Sequence, residues 1–577
     1  MFRGFTTPLT GRTEHERTTV ASAWAYIRTE TGSAAVLLAA TVAALIWVNT
    51  APGSYETAWH THLSIRVGHH GVDLDMRDWV NSGLMTLFFL VVGLEARREF
   101  DLGELRDRRR IPLPLLAGIC GMVVPVLIYL LVNSGTSTEH GWGVAMSTDT
   151  AFALGMLALL GSRFPRRLHT FILTVAVVDD FVALAVIAVA YSDHISWTPL
   201  LVGVGVLVVV AIVRSSGVRR GLVYGALGIV AWVAFLHSGV DPLVVGLVFG
   251  MMSYAYQASR DDLERATGLF RSFREQPTAD LEREARLGIA SALSPNDRLQ
   301  RIWHPWTSYV IVPLFALANA GIAINGTLLG EAFSSRITLG ILLGYGLGKP
   351  IAIYGASAIS TRLSRGRLRP PVGWGAVLGG GTIAGIGFTV SLLIATLAFH
   401  GRQLDQAKIG VLSAVVFAML ATTVVALVIE RLPEARRARA LLGTAQSVVD
   451  LADPVDPERD HIRGALDAPV TVVEYGDFEC PYCGQAEDVV RELLADFGDV
   501  RYVWRHLPLS DVHPHAQLAA EASEAAALQG KFWEMHDELM AHQDALNVKA
   551  CCGTPRRSAW TWTSSSRRCG RTRAGSG

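Results

Sequence analysis

From Ser33 onward the chain alternates apolar runs long enough to cross a bilayer with short polar connections, and the pattern stops near Glu430. The runs fall at 33–50, 80–97, 112–132, 143–161, 168–191, 198–213, 219–236, 241–256, 305–324, 337–358, 373–399 and 408–430, which predicts about twelve spanning helices. Before them, Met1 to Gly32 is polar and has no short apolar core followed by a small-residue cleavage site, so no cleavable signal is expected. The fifth run, Thr170 to Tyr191, carries Asp179 and Asp180 side by side in its middle. An ionised Asp at the centre of a span costs about 2.5–3.5 kcal/mol, so such a pair is expected to face a polar cavity and to do chemistry there. Asp149 centres the fourth run and Lys349 the tenth.

Arginines orient the helices. The N-terminus, the loop with Arg97, Arg98, Arg106 and Arg108 to Arg110, the turns around Arg163 and Arg214, the long loop from Gln257 to His304, the loop around Arg365, and the tail after Glu430 are arginine-rich. The connections near 133–142, 192–197 and 237–240 hold no Lys or Arg. The alternation predicts both termini on the cytoplasmic side of the inner membrane. Composition agrees with a membrane chain, since 50% of the 577 residues are hydrophobic and 18% are charged. Lys plus Arg equals Asp plus Glu at 51 each, which provides no global field for nucleic acid. The eleventh run holds Gly379, Gly380, Gly381, Gly385 and Gly387. Two readings are open for them: unwound backbone lining a cavity, or close helix packing.

Six stretches together resemble the NhaA sodium/proton antiporters: VGLEARRE at Val92 to Glu99, TDTAFALG at Thr148 to Gly155, VVDD at Val177 to Asp180, HPWTSYVIVPLFALANAG at His304 to Gly321, GKP at Gly348 to Pro350, and GIGFT at Gly385 to Thr389. The resemblance covers about residues 20 to 435 and implies an all-α polytopic fold with inverted repeats, spans three to five and ten to twelve, whose fourth and eleventh helices are broken and cross near the ion site. It implies exchange of sodium or lithium for protons by alternating access, for pH and sodium homeostasis, in a lipid bilayer, with no cofactor, and it leaves a homodimer open.

Within that resemblance, Asp149 is expected to compensate the facing positive helix ends and Lys349 the negative ones. Asp180 is the expected principal sodium ligand and proton carrier, with Asp179 and Thr148 contributing oxygens. Adjacent residues on a helix point about 100° apart, so the two carboxylates are not equivalent. Asp179 is expected to pair with Lys349 when the ion is absent. Protons and sodium would then compete for the same oxygens. Two positions depart from the family: Ser82 replaces an Asp expected on the cytoplasmic approach, and Gln300 replaces an acid before the HPW motif. Glu95, Glu99 and His304 are retained as pH-sensor candidates, against the plainer reading of interfacial ion pairs. His60, His62, His69 and His70 crowd the first external loop, where a solvated loop outweighs a metal site because their spacing closes no ligand set.

Beyond the last span, APVTVVEYGDF at Ala468 to Phe478 predicts a strand, and CPYC at Cys480 to Cys483 opens a helix through Phe497. Strand, CxxC and helix form the thioredoxin-like arrangement, in which the helix N-terminus activates the first thiol as nucleophile. With the strand VRYVWRHLPL at Val500 to Leu509 and the helical stretch His515 to His542, this part resembles the DsbA-like branch, making Cys480 and Cys483 a candidate redox pair. The later strands of that fold are missing, and Val548 to Gly577 has neither strand nor helix period, so a shifted reading frame or truncated end is expected. The organisation is thus a cytoplasmic segment at 1–32, a membrane domain at 33–430, a linker at 431–467, a partial α/β thioredoxin-like domain at 468–547 and an aberrant or disordered tail at 548–577. The function expected is secondary antiport and not enzymatic catalysis. The competing class is a membrane-tethered thiol-disulfide oxidoreductase, which four midplane charges disfavour.

Overall fold

A computed structural model describes residues 30–67, 70–103, 112–160, 163–192, 195–216, 221–256, 260–365, 368–443, 451, 453–496 and 499–546. The chain divides into two compact units between Ala445 and Gln446.

The first unit opens with α1 (Glu30–Thr50), α2 (Pro52–Trp59) and a hairpin of β1 (His62–Val67) and β2 (His70–Asp75). The strands run antiparallel with His62 opposite Asp75 and Val67 opposite His70. The first connection, expected to be a solvated loop, is therefore partly a sheet. Its polar side chains pair locally, His60 with Glu56 and Asp75 at 3.1 Å each, and His62 with Asp73 at 3.4 Å. The side chains of His69 and His70 lie outside the described residues.

A π-helical turn at Trp79–Leu84 leads into α3 (Met85–Asp101), followed by α4 (Pro112–Asn133), a 3₁₀ segment at Glu139–Ala145, and α5 (Thr150–Leu160). Ser82 lies in that π turn, whereas Arg97 and Arg98 occupy the other end of the helix. The missing carboxylate is therefore at the end of span two far from its arginines. Next come α6 (Arg166–Ala190), α7 (Trp197–Ser215), α8 (Gly221–Ser238) and α9 (Leu243–Met251). Short as it is, α9 packs tightly on α3: a Cβ at Gly246 would sit 2.0 Å from the Thr86 carbonyl oxygen, an approach only glycine allows.

The loop expected from Gln257 to His304 is mostly helical, with α10 (Arg260–Glu275), α11 (Ala279–Ala292) and α12 (Pro295–Trp306). Helix α12 continues through a π turn, Thr307–Ile311, into α13 (Val312–Asn319). In α12 the Gln300 amide donates to Asn296 Oδ1 at 3.0 Å, and Asn296 in turn donates to the carbonyls of Leu94 and Ser253. After α14 (Gly326–Ser334), α15 (Arg336–Leu343) passes through a third π turn, Gly344–Gly348, into α16 (Lys349–Leu363). The second and third π turns each end two residues before a proline, Pro313 and Pro350. Proline has no N–H to give the carbonyl four residues back, so the helix widens there.

The unit closes with α17 (Trp374–Ala384), α18 (Thr389–Ala398), α19 (Gly401–Glu430) and α20 (Glu434–Leu442). Among the described residues eight helices are long and apolar enough to span a bilayer. Two further candidates are bent pairs: the 3₁₀ segment with α5, bent by 41°, and α17 with α18, bent by 42°. The other two runs counted from the sequence are α9, which is only nine residues long, and the α12–α13 helix.

The second unit has a three-stranded sheet in the order β3-β5-β4, with β3 (His461–Gly464), β4 (Val470–Gly476) and β5 (Val500–His506). Strands β4 and β5 are parallel, joined through α21 (Pro481–Asp496), and β3 is antiparallel to β5. Helices α22 (Ala516–Ala527) and α23 (Phe532–Ala541) complete it. The core holds Phe478, Tyr502, Trp504 and Phe532. The expected linker at 431–467 is thus structured at both ends, by α20 and by β3. Its second end is fastened by Arg505, which grips Asp460 at 2.7 and 2.9 Å and donates to the carbonyls of Asp453 and Pro454. That guanidinium holds the Asp460 carboxyl below its ordinary range. The tail expected at 548–577 lies outside the described residues.

Candidate functional site

Both bent pairs break in the middle of buried sequence. The first unwinds over Met146 to Asp149 and the second over Gly385 to Phe388. The breaks touch each other, since the Asp149 N–H donates to the Ile386 carbonyl at 2.7 Å. Breaking a helix leaves N–H groups unpaired at one new end and carbonyls at the other. The Asp149 carboxylate, 4% exposed, serves two such ends at once: Oδ1 accepts the Phe152 N–H of α5 and Oδ2 accepts the Thr389 N–H of α18, each at 3.0 Å. One side chain thus caps both half-helices, where the partial positive ends of their dipoles converge.

At the opposite ends, the last carbonyl of α17, Ala384, lies 2.9 Å from Thr148 Oγ1. The same oxygen takes a hydrogen bond from Lys349 Nζ at 2.7 Å and lies 2.7 Å from Asp179 Oδ2. Lys349 Nζ and Asp179 Oδ2 are 2.6 Å apart, and both side chains have no exposed surface. Lys349 therefore meets the negative end of α17 through Thr148 and meets Asp179 directly. Burying two ions costs several kcal/mol each, offset here by short contacts on both.

The other oxygen of Asp179, Oδ1, is buried and has no hydrogen-bond partner among the described residues. It faces the small surface of Gly118 on α4, where a Cβ would stand 3.7 Å away. Asp180, one position on, is 5% exposed and has Thr150 Oγ1 at 3.5 Å from Oδ2. The two carboxylates differ as expected of neighbours on a helix. One is engaged by a cation, and the other, among the described residues, meets a single distant hydroxyl. An orphaned carboxylate oxygen, a loosely held carboxylate and two threonine hydroxyls form an oxygen-rich donor set of the kind hard cations take.

The family model described as Na+/H+ antiporter 1 matches residues 24–426. The chain belongs to that family. A protein named Na(+)/H(+) antiporter NhaA 1 from Salinispora arenicola is 59% identical over 552 residues, covering 95% of this chain and 85% of the relative. One of the same name from Mycolicibacterium vanbaalenii is 44% identical over 522 residues, covering 90% and 83%. A third, Na(+)/H(+) antiporter NhaA from Herminiimonas arsenicoxydans, is 43% identical over 536 residues, covering 92% and 84%. A second family model, Thioredoxin, matches residues 456–551.

In this antiporter-family chain the sequence placed Asp149, Thr148, Asp179, Asp180 and Lys349 at one depth, and the structure brings all five together. It did not point to Thr150, Thr389, Tyr345 or Ser391, polar positions that complete the crossing. The glycines answer to both readings. Gly385 and Gly387 lie in the unwound stretch, and a Cβ on either would fall within 2.7 Å of Tyr345.

In the second unit Cys480 stands just before α21 and Cys483 in its first turn. Burial pushes the Cys483 thiol up to about 11. Gln543 Nε2 braces the CxxC turn by donating to the carbonyls of Phe478 and Cys480 at 2.9 Å each. Glu474, whose carboxyl is raised by burial, accepts the Tyr502 hydroxyl at 2.9 Å.

Two His/carboxylate groupings in this unit have metal-like proximity. In the first, His461 and His506 direct their Nε2 atoms at Glu524 Oε1 from 2.7 and 2.9 Å. The indole of Trp504 donates to His506 Nδ1 at 3.2 Å, which leaves the neutral ring's proton on Nε2, pointing at the carboxylate. That nitrogen is a donor and not a ligand, so the cluster is a hydrogen-bonded pin joining β3, β5 and α22. The second, Glu487 with His536 and Asp537, is taken up by Arg463 and Arg491. The hydrogen bonds from His461 and His506 hold Glu524 down to about 2, against an ordinary value of 4.5. A depressed carboxylate contributes stability that is fully present above its unfolded value and is lost as pH falls through the folded one. Hydrogen-exchange protection of β3 and β5 is therefore expected to fall between about pH 4.5 and about pH 2, and Glu524→Gln to flatten that part of the profile.

Proposed function

We propose that this chain exchanges sodium for protons across the membrane it spans, as a multi-pass secondary transporter of the antiporter family. The observation that carries the reading is the wholly buried Lys349–Asp179 pair, 2.6 Å apart, beside two helix breaks bridged by Asp149. Asp180 is the principal sodium ligand and proton carrier, Asp179 and Thr148 add oxygens, and Asp149 compensates the half-helix ends. In the ion-free arrangement Lys349 neutralises Asp179. As sodium enters against Asp180 and the open Asp179 oxygen, the lysine is released, and proton return restores the pair.

Twelve spans with inverted repeats are part of the proposal. It is supported by the order in which each bent pair follows a long helix and precedes another: α4, break, α6 and α15–α16, break, α19. Arginine placement supports cytoplasmic termini and an inner-membrane location. Lithium as an alternative to sodium, and a homodimer, belong to this reading on the strength of the resemblance alone. The domains proposed are those of the sequence reading, with α20 moved into the membrane unit and β3 into the thioredoxin-like one. For that last unit a thiol-disulfide role of Cys480 and Cys483 is a secondary proposal, favoured by the βαβ placement of the CxxC.

The test is sodium-driven recovery of an imposed pH gradient in vesicles. A chain stopped after Gly443 is expected to keep most of this exchange. The stop must not come earlier, because the Gly373 N–H donates to the Leu441 carbonyl and α20 packs in the membrane unit. Loss of exchange in that shortened chain, still inserted, would make the second unit part of the transport machinery.

A further inference from the structure

Tyr345 is wholly buried, as are Val144 and Ser391. Its hydroxyl donates to the Val144 carbonyl at 2.7 Å and is in short hydrogen-bonding contact with Ser391 Oγ. Val144 belongs to the last turn before the first break, and Ser391 to the first turn after the second. One phenol therefore ties together both broken spans. Its single proton goes to the carbonyl, which has none to give, and the serine hydroxyl donates back.

The rest of the residue is as tightly placed. A Cβ on Gly387 would lie 2.3 Å from the ring, and one on Gly385 2.7 Å from the Tyr345 carbonyl oxygen. The second break thus lies directly against this side chain and its backbone. Lys349 follows four residues later on the same continuous helix, on nearly the same face. Span ten therefore contacts the crossing twice, through Lys349 to Thr148 and through Tyr345 to Val144 and Ser391.

We propose that Tyr345 is a positioning residue of the ion site: by clasping Val144 and Ser391 one turn before Lys349, it sets where the lysine stands against Thr148 and Asp179. The proposal rests on the antiport reading. A proton needs one carboxylate oxygen, whereas a sodium ion needs several at one radius. Loosening the crossing therefore weakens sodium binding more than proton binding, and the competition tilts toward protons.

The experiment is sodium-driven pH recovery in vesicles containing the full chain or Tyr345→Phe, scaled to the amount of folded, inserted protein. The phenylalanine is expected to raise the half-saturating sodium concentration at least fivefold, to keep the maximal rate within twofold, and to move half-maximal exchange to higher pH. Ser391→Ala, which spares the Val144 bond, is expected to move both readouts the same way by less. A Tyr345→Phe protein with unshifted sodium dependence and pH profile would overturn the assignment, whatever its stability. If that variant does not insert, Ser391→Ala decides, and no shift in it overturns the proposal. Absence of exchange in the unaltered chain would condemn the antiport reading itself, whereas exchange there with an unmoved variant condemns only the role of Tyr345.

Discussion

Asp180→Asn is expected to abolish sodium-driven proton movement while leaving insertion and thermal stability close to those of the parent. The amide keeps the shape of the side chain but can neither take up a proton nor present a negative oxygen to a cation. Among the described residues Asp180 has only Thr150 Oγ1, at 3.5 Å, as a hydrogen-bond partner, so little structural bonding is lost with the charge. The loss should be at least about a hundredfold in rate, equivalent to about 2.7 kcal/mol on the limiting barrier. Vesicle assays across pH and sodium concentration check this. Exchange near the parent rate at any pH would remove Asp180 from the cycle and shift the burden to Asp179.

Lys349→Ala should damage both stability and transport. Removing one member of a buried ion pair leaves the other uncompensated, at a cost of about 3–5 kcal/mol. Asp179 has no exposed surface and would retain only the Thr148 hydroxyl. The melting temperature of the purified protein should fall by several degrees, and less so at acidic pH, where the stranded carboxylate takes up a proton. Lys349→Arg should recover more stability than Lys349→Ala, because the charge is kept. A fully stable alanine variant would mean that the Lys349–Asp179 contact contributes nothing in the membrane.

The site was legible because charge in the middle of apolar runs has no structural excuse. Asp149, Asp179, Asp180 and Lys349 stood out for that reason alone, and the structure gathers them around two breaks. What escaped was of two kinds. Tyr345, Ser391, Thr150 and Thr389 are unremarkable in an apolar run, and only the crossing of two distant segments gives their hydroxyls and amides common partners. The helices α10 and α11 were passed over as a loop because arginine content was used there to orient the chain. The same stretch carries Ala266, Ala285, Gly288 and Ala292 as a buried seam. In the second unit the CxxC marked β4, α21 and β5, whereas β3 has only four residues and no alternation to announce it. Ser82 and the arginines Arg97 and Arg98 stand at opposite ends of one span, a separation that the count of residues between them already contained.

The π turn at Gly344–Gly348 affects how this protein can change length. A π turn holds one residue more than an α turn. Deleting any one of its five residues would restore an ordinary ladder and leave the span nearly as long. Everything before it would still present nearly the same face to the crossing, because the wider turn and the ordinary one sweep nearly the same angle. A one-residue difference can therefore be absorbed inside this span, as it would be in a surface loop, without turning one half of the helix against the other. Homologous chains that keep the Gly-Lys-Pro motif can therefore differ by one residue at this turn and still superimpose on both sides of it.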